Sequence, residues 1–168
     1  TWFSASAVIP QLRDAWALST SAAAWLTIAV QLGFVGGALV SSFLSLSDII
    51  APKHMILGGT IGAATANGLL DLAGAGDIGI ALRFGTGFFL AGVYPPALKL
   101  MATWFQSARG VALGILVGAI VLGQAMPHLI NGLGGLDWHV VILVTSALTL
   151  TGGVITKLLV TEGPYPFP

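Results

Sequence analysis

The sequence predicts an all-α integral membrane protein: an antiparallel transmembrane helix bundle with five full spans, preceded by the end of a further helix. Three observations carry this. First, 56% of the 168 residues are hydrophobic and only 7% are charged, where a soluble domain carries roughly 25% charged residues. So few charges cannot cover a water-facing surface, and the mean hydropathy is +0.96. Second, the charges punctuate long apolar runs. There are 33 uncharged residues between Asp14 and Asp48, 17 between Lys53 and Asp71, 15 between Arg83 and Lys99, 27 between Arg109 and Asp137, and 19 between Asp137 and Lys157. Third, the polar–apolar alternation of a membrane barrel is absent. Lipid offers no partner to a backbone N–H, so the runs must satisfy their own hydrogen bonds as helices.

The elements follow in order. The opening "TWFSASAVIP" has nine mostly apolar residues before Pro10, too few to cross, since crossing takes about 20. It lacks the charged front and small-residue cleavage site of a signal peptide. Residues 1–11 therefore read as the end of a first helix. The full spans are expected at about 20–45, 54–72, 77–101, 109–131 and 138–160, and residues 161–168 as the start of a cytoplasmic linker, so that the chain reads as a fragment. Connections such as "AGAGD" and "GLGGLD" are short, so successive helices are antiparallel neighbours in a single domain spanning 1–168. Lys53, Lys99, Arg109 and Lys157 fall on one side, and Arg13 with Asp14, Asp71, Asp77 and Asp137 on the other. The Lys/Arg-rich side is expected to be cytoplasmic. That places residues 46–53, 102–109 and 161–168 inside the cell, in a multi-pass protein of the plasma (cell inner) membrane whose first partner is the lipid bilayer.

Composition excludes several functions. Six basic against six acidic residues give zero net charge, so no basic field exists for nucleic acid. Cysteine is absent, and His54, His128 and His139 lie on different segments; no metal site, catalytic residue or cofactor is expected. A membrane-embedded enzyme would cluster His, Asp or Glu at one depth, and none does.

Small residues recur at helical spacing: Gly33, Gly37 and Ser41; Gly58, Gly62 and Ala66; Gly110, Gly114 and Gly118. Such faces let helix backbones approach closely in lipid. They serve either the packing of this bundle or contact with helices outside the chain.

The fourth span, "ALRFGTGFFLAGVYPPALKL", carries the sharpest features. Arg83, Gly87, Ala91 and Tyr94 share a helical stripe, and Arg83 sits roughly 9 Å inside the outer end. One reading has its charge attract an anionic group into a cavity. The other has it pair with Asp77 or Asp71, or cap backbone carbonyls. Pro95 and Pro96 remove two N–H donors and free the carbonyls of Ala91 and Gly92, so a kink is expected there. It serves as a gate point or, as the local causes of kinks favour, a fixed bend. Gln31 and Asn67 read as interhelical hydrogen-bonding residues. Gln124, His128 and Asn131 form one stripe in the outer half of the fifth helix, able to face the same cavity as Arg83. Trp2, Trp25, Trp104 and Trp138 lie near span ends, as interfacial anchors do.

Six helices, counting the completed first one, with short loops and these motifs resemble the N-terminal half of a major facilitator superfamily transporter, over the whole chain. Arg83, Gly87, Ala91-Gly92, Pro95 and Pro96 resemble the family's fourth-helix pattern of R-x-x-x-G, small residues and a proline. "TWFQSARG" resembles its loop into the fifth helix, with Arg109-Gly110 opening it. The second-to-third loop, "LSLSDIIAPK", is set against G-x-x-x-D-R-x-G-R-[RK]: Asp48 and Lys53 match, while Leu44, Ile49, Ala51 and Pro52 depart. "GAIVLGQAMPHL" departs from the glycine-proline motif of proton-driven drug exporters, because Gly123 is followed by Gln124 and Pro127 comes later.

The resemblance implies a secondary active transporter without covalent chemistry, in which two six-helix halves rock about a central site. The expected partners are a small-molecule solute, with an organic anion as the candidate, and the C-terminal half of the same transporter. The alternatives are an exporter of apolar drug-like compounds, in which Arg83 is structural, and a non-transporting assembly subunit. The expected substrate-binding residues are Arg83, Gly87, Tyr94, Gln124 and His128. Those expected to gate or brace the fold are Asp48, Lys53, Gly92, Pro95, Pro96 and Arg109.

Overall fold

The computed structural model describes residues 1–105, 107–132 and 136–165, with the side chain of Asn131 left out. The Asn131 part of the fifth-helix stripe, Gln106 of the 102–109 loop, residues 133–135 of "GLGGLD" and residues 166–168 of the expected linker thus lie outside the described residues.

Among the described residues all regular secondary structure is helical, without strands. In chain order they form α1 (Ser4–Ala7), α2 (Ile9–Ala15), α3 (Thr20–Phe43), α4 (Leu46–Ile49), α5 (Pro52–Gly68), a 3-10 turn (Leu69–Leu72), α6 (Gly76–Leu90), α7 (Tyr94–Ala102), α8 (Arg109–Gly132) and α9 (Trp138–Leu159). Starts follow capping chemistry. The Ser19 hydroxyl accepts from the Ala22 amide at 3.1 Å and opens α3. The Asp137 carboxylate accepts from His139 N at 3.1 Å and opens α9. In each case a side-chain oxygen satisfies an amide that has no partner within the helix. Pro52 opens α5, where a missing N–H costs nothing.

Four helices are long and apolar enough to cross a membrane: α3, α6 with α7 taken as one Gly76–Ala102 rod, α8 and α9. α5 has 17 residues, about 26 Å, and the 3-10 turn that continues it adds about 8 Å.

The antiparallel order is fixed by bonds at both ends. At the acidic end Asp71 bonds His139, and Gln11 Nε2 donates to the Leu136 carbonyl at 3.2 Å. At the basic end Lys99 meets Asp48 at 3.1 Å, and Trp104 Nε1 donates to the Thr161 carbonyl at 2.9 Å.

Three features differ from expectation, two of them helix boundaries. The opening helix does not stop near residue 11: it breaks at Val8 and resumes as α2 to Ala15, with Pro10 tolerated in the first turn of the new helix. The fourth span is two helices rather than one kinked one, because the chain leaves helical geometry at Ala91–Val93 and α7 restarts with both prolines in its first turn. Trp138 is 8% exposed and belongs to the core, not to an interfacial belt. Its ring meets Trp16 edge-on at 5.6 Å and stacks on His139 at 3.7 Å.

Packing is closest where glycines remove side chains. α3 lies along α6 with Gly33 and Gly37 against the backbone of Phe84 and Phe88, and Gly87 answers from α6 against the Val30 carbonyl. α5 packs on α6, where Gly62 receives the Phe89 ring, and on α9, where Gly153 receives Thr60. Ala5, Val8, Leu12, Leu26, Leu70, Val141 and Ile142 join Trp138 in the apolar core of the acidic half. α8 packs least. A Cβ added at Gly110, Gly114 or Gly118 would meet nothing within 4 Å. The first small-residue stripe is thus buried within the bundle, and the third is open.

Candidate functional site

Arg83 is fully buried in the middle of the bundle's polar network. Its Nε donates to the Leu26 carbonyl at 3.3 Å. One terminal nitrogen donates to the Thr1 carbonyl at 3.0 Å, to Asn67 Oδ1 at 3.0 Å and, weakly, to Ser4 Oγ at 3.5 Å. The other donates to the Trp2 carbonyl. No carboxylate is among these partners: Asp71 is on His139 and Asp77 is exposed. The guanidinium's planar fork suits this set, since it aims donors in several fixed directions at once. Carbonyl dipoles stand in for the lost hydration that would otherwise make a buried charge so costly.

Asn67 extends the network. Its Oδ1 also accepts from Ser4 Oγ at 2.6 Å, and its Nδ2 donates to Ser146 Oγ at 2.9 Å and to the Ile142 carbonyl at 3.3 Å. The opening segment, α3, α5, α6 and α9 are therefore joined through two side chains.

The expected stripe of Arg83, Gly87, Ala91 and Tyr94 is divided. Gly87 and Ala91 are buried with Arg83, Gly87 against α3. Tyr94 is on a different face, because the turn at 91–93 resets the helical phase before α7 begins. It lines a cavity of about 860 Å³ whose walls come from α5, α7, α8 and α9, with Trp2 and Phe34 meeting edge-on at 5.0 Å on one side. Gln124 of α8 also lines it; Arg83, Gly87 and His128 do not, and His128 is exposed.

No charged side chain lines this cavity among the described residues. Its four threonine hydroxyls are already engaged: Thr60 donates to the Leu57 carbonyl, Thr149 to Thr145 and Thr156 to Gly152, each at 2.9 Å within its own helix, and Thr1 Oγ1 shares a hydrogen bond with Thr149 Oγ1 at 3.3 Å. Tyr94 Oη and the Gln124 amide have no protein partner among the described residues. With the Trp2 indole N–H, they are the side-chain polar groups on this wall left available to a solute.

At the basic end, Asp48 pairs with Lys99 of α7 rather than with Lys53, and Lys99 Nζ also donates to the Ser47 carbonyl at 2.7 Å. Lys53 forms no ion pair among the described residues. Arg109 Nε donates to the Phe105 carbonyl at 2.9 Å, a local bond at the start of α8. Gly92 sits in the α6–α7 turn with its amide on the Phe89 carbonyl at 2.9 Å. Pro95 and Pro96 follow at the start of α7, with Pro96 buried. Sequence reasoning missed Lys99 as the partner of Asp48 and treated Asn67 as an ordinary helix-to-helix bond. The signal for Lys99 was its place at the only other charged position near that end of the fourth span.

A family model described as Major Facilitator Superfamily matches residues 1–167. The chain is also similar to the multidrug efflux pump LfrA of Mycolicibacterium smegmatis, 27% identical over 164 residues that cover 95% of this chain and 32% of that protein. It therefore spans about a third of that relative's length. With its membrane-length apolar helices, its antiparallel order and a family match from end to end, the chain belongs to the major facilitator superfamily.

Proposed function

We propose that this chain forms half of a secondary active transporter that moves small, uncharged, largely apolar solutes by alternating access, without changing them covalently. A second six-helix half would complete the central site. The membrane is the plasma membrane, with the basic end cytoplasmic, as the placing of Lys53, Lys99, Arg109 and Lys157 supports.

The observation that carries the substrate class is the state of Arg83. Its donors are taken by carbonyls and Asn67 inside the bundle, and it does not reach the cavity. An anion reader would need that charge on the wall. What the wall offers is apolar and aromatic surface with Tyr94 and Gln124 as polar handles, the usual make-up of a site for apolar ligands. Similarity to a protein named as a multidrug efflux pump points the same way.

The test is transport by the full-length protein in liposomes, with a panel of anionic, neutral polar and aromatic apolar solutes. Movement of aromatic apolar solutes, weakened by Tyr94→Ala and Gln124→Ala, is the expected result. Accumulation of an anion that a folded Arg83→Ala protein no longer binds would restore the charge-reading role of Arg83 and refute this one.

A further inference from the structure

The chain leaving α9 folds back on the bundle. Gly163 N donates to Thr103 Oγ1 at 2.8 Å, Tyr165 N to the Thr103 carbonyl at 3.0 Å, and Trp104 Nε1 to the Thr161 carbonyl at 2.9 Å. The approach is close: a Cβ on Gly163 would lie 2.6 Å from the Trp104 amide nitrogen and collide with the Thr103 carbonyl. Thr103 is 8% exposed beneath it. Residues 161–165 are thus fastened to the last turn of α7 from outside both helices.

The other end of α7 is also defined. The Ala91–Val93 turn separates it from α6, and there Gly92 lies against Gly59 of α5, where a Cβ on Gly59 would be 3.0 Å from the Gly92 carbonyl carbon. α7 is therefore a nine-residue rod packed on α5, seated on a glycine contact at one end and tied at the other by the tail and by the Lys99 side chain, whose Nζ reaches the Ser47 carbonyl and Asp48. It shares no extensive contact with α9, although the two form walls of the same cavity through Ala97 and Met101 on one side and Thr149 and Thr156 on the other.

We infer that Thr161–Tyr165 is a clasp: it holds the basic end of α7 to the chain leaving α9, and its release lets α7 swing about the Ala91–Val93 turn. No helix has to break for this, because the turn already interrupts the fourth span. The clasp consists of one backbone–backbone and two side chain–backbone hydrogen bonds near the surface, few enough to open locally without global unfolding. Trp104 couples it to the cavity, since its ring lines the wall while its indole N–H is held by the tail. Release would take that ring with α7 and widen the basic mouth.

The chain has no cysteine, so Met101→Cys on the cavity wall gives this half a single thiol; with any cysteine outside this chain replaced by serine, the full-length protein in bilayers is treated with a membrane-impermeant maleimide. Thr103→Val removes the hydroxyl that holds Gly163. Gly163→Ala pushes the tail away from the Thr103 carbonyl while leaving every residue of α7 unchanged, and it lies outside every helix, so it serves if Thr103→Val fails to insert. Each should raise the labelling rate roughly fivefold, the population shift expected from losing one ordinary hydrogen bond. Thr103→Ser keeps the hydroxyl and should label at the parent rate. Unchanged labelling in Gly163→Ala and Thr103→Val overturns the clasp, and so does an equal rise in Thr103→Ser. The readout needs no transported solute, so its failure is distinct from failure of the transporter reading.

Discussion

Asn67 stands between Arg83 and Ser146, accepting from the guanidinium at 3.0 Å and donating to the serine hydroxyl at 2.9 Å. It is fully buried, as is Arg83. Remove its amide and the arginine N–H, Ser4 Oγ and Ser146 Oγ each lose one partner, keeping the Thr1, Thr1 and Ile142 carbonyls respectively. Asn67→Leu should therefore cost about 1–3 kcal/mol, the sum of several buried hydrogen bonds lost together, rather than the ~0.6 kcal/mol average of a single membrane interhelical bond. Thermal unfolding in detergent measures it. A variant that melts with the parent would mean that the network rearranges freely and does not hold the helices.

Arg83→Lys tests geometry apart from charge. A lysine keeps the positive charge but offers three donors from one point, whereas the acceptors lie on Leu26, Thr1, Trp2 and Asn67. A loss of about 2 kcal/mol is expected, from at least one unmet carbonyl and the poorer fit of an ammonium to a fork-shaped site. The loss should appear with or without solute. If Arg83→Lys keeps its melting temperature and loses only solute binding, the arginine is a ligand-binding group and the structural assignment fails.

Much of this bundle could be read from residue order. The apolar runs between charges placed α3, α8 and α9 to within about two residues, because in lipid the length of an apolar run and the length of a helix are set by the same membrane thickness. The position of the fourth-span irregularity was legible too, since Pro95 and Pro96 remove donors wherever they lie. What the prolines do there was not: the same pair fits a kink inside one helix or the first turn of another, and the structure has the second, with Gly92 packed against Gly59 at the break. The stripe of Arg83, Gly87, Ala91 and Tyr94 failed for that reason, as a helical wheel assumes unbroken phase. Carbonyl capping was among the readings of Arg83, but which carbonyls it meets was illegible, because the carbonyls of Leu26, Thr1 and Trp2 carry no sequence signature. Trp138 was misplaced because an aromatic at a span end suits the headgroup region and a core equally well.

The glycines divide into two predicted classes. Gly87→Ala puts a methyl into the Val30 carbonyl, where backbone cannot yield cheaply. It should destabilise by about 1–3 kcal/mol, as overpacking does. Gly114→Ala meets nothing within 4 Å and should change stability by no more than about 0.5 kcal/mol, or raise it slightly through better helix propensity. Paired melting curves decide this. If Gly114→Ala leaves melting intact but stops transport by the full-length protein, the open face of α8 touches something that only the complete transporter supplies. Equal damage to stability from both substitutions would contradict the packing assigned to α3 and α6.

The Asp48–Lys99 pair is short at 3.1 Å but poorly shielded, with the Asp48 side chain 76% exposed. An ion pair so open to solvent is worth about 0–1 kcal/mol and weakens with salt. Asp48→Asn should therefore lower stability by less than about 0.5 kcal/mol, and less still in high salt. Lys99→Met should cost more, because Lys99 Nζ also donates to the Ser47 carbonyl at 2.7 Å and so ties the loop before α5 to α7 even when Asp48 is neutral. The comparison separates a charge latch from a carbonyl tether. If the two substitutions are equal, and both effects vanish in salt, the attraction between the charges is what matters. If Lys99→Met remains worse at every ionic strength, the tether to Ser47 holds this end of α7, and the acid at position 48 is secondary to the lysine it meets.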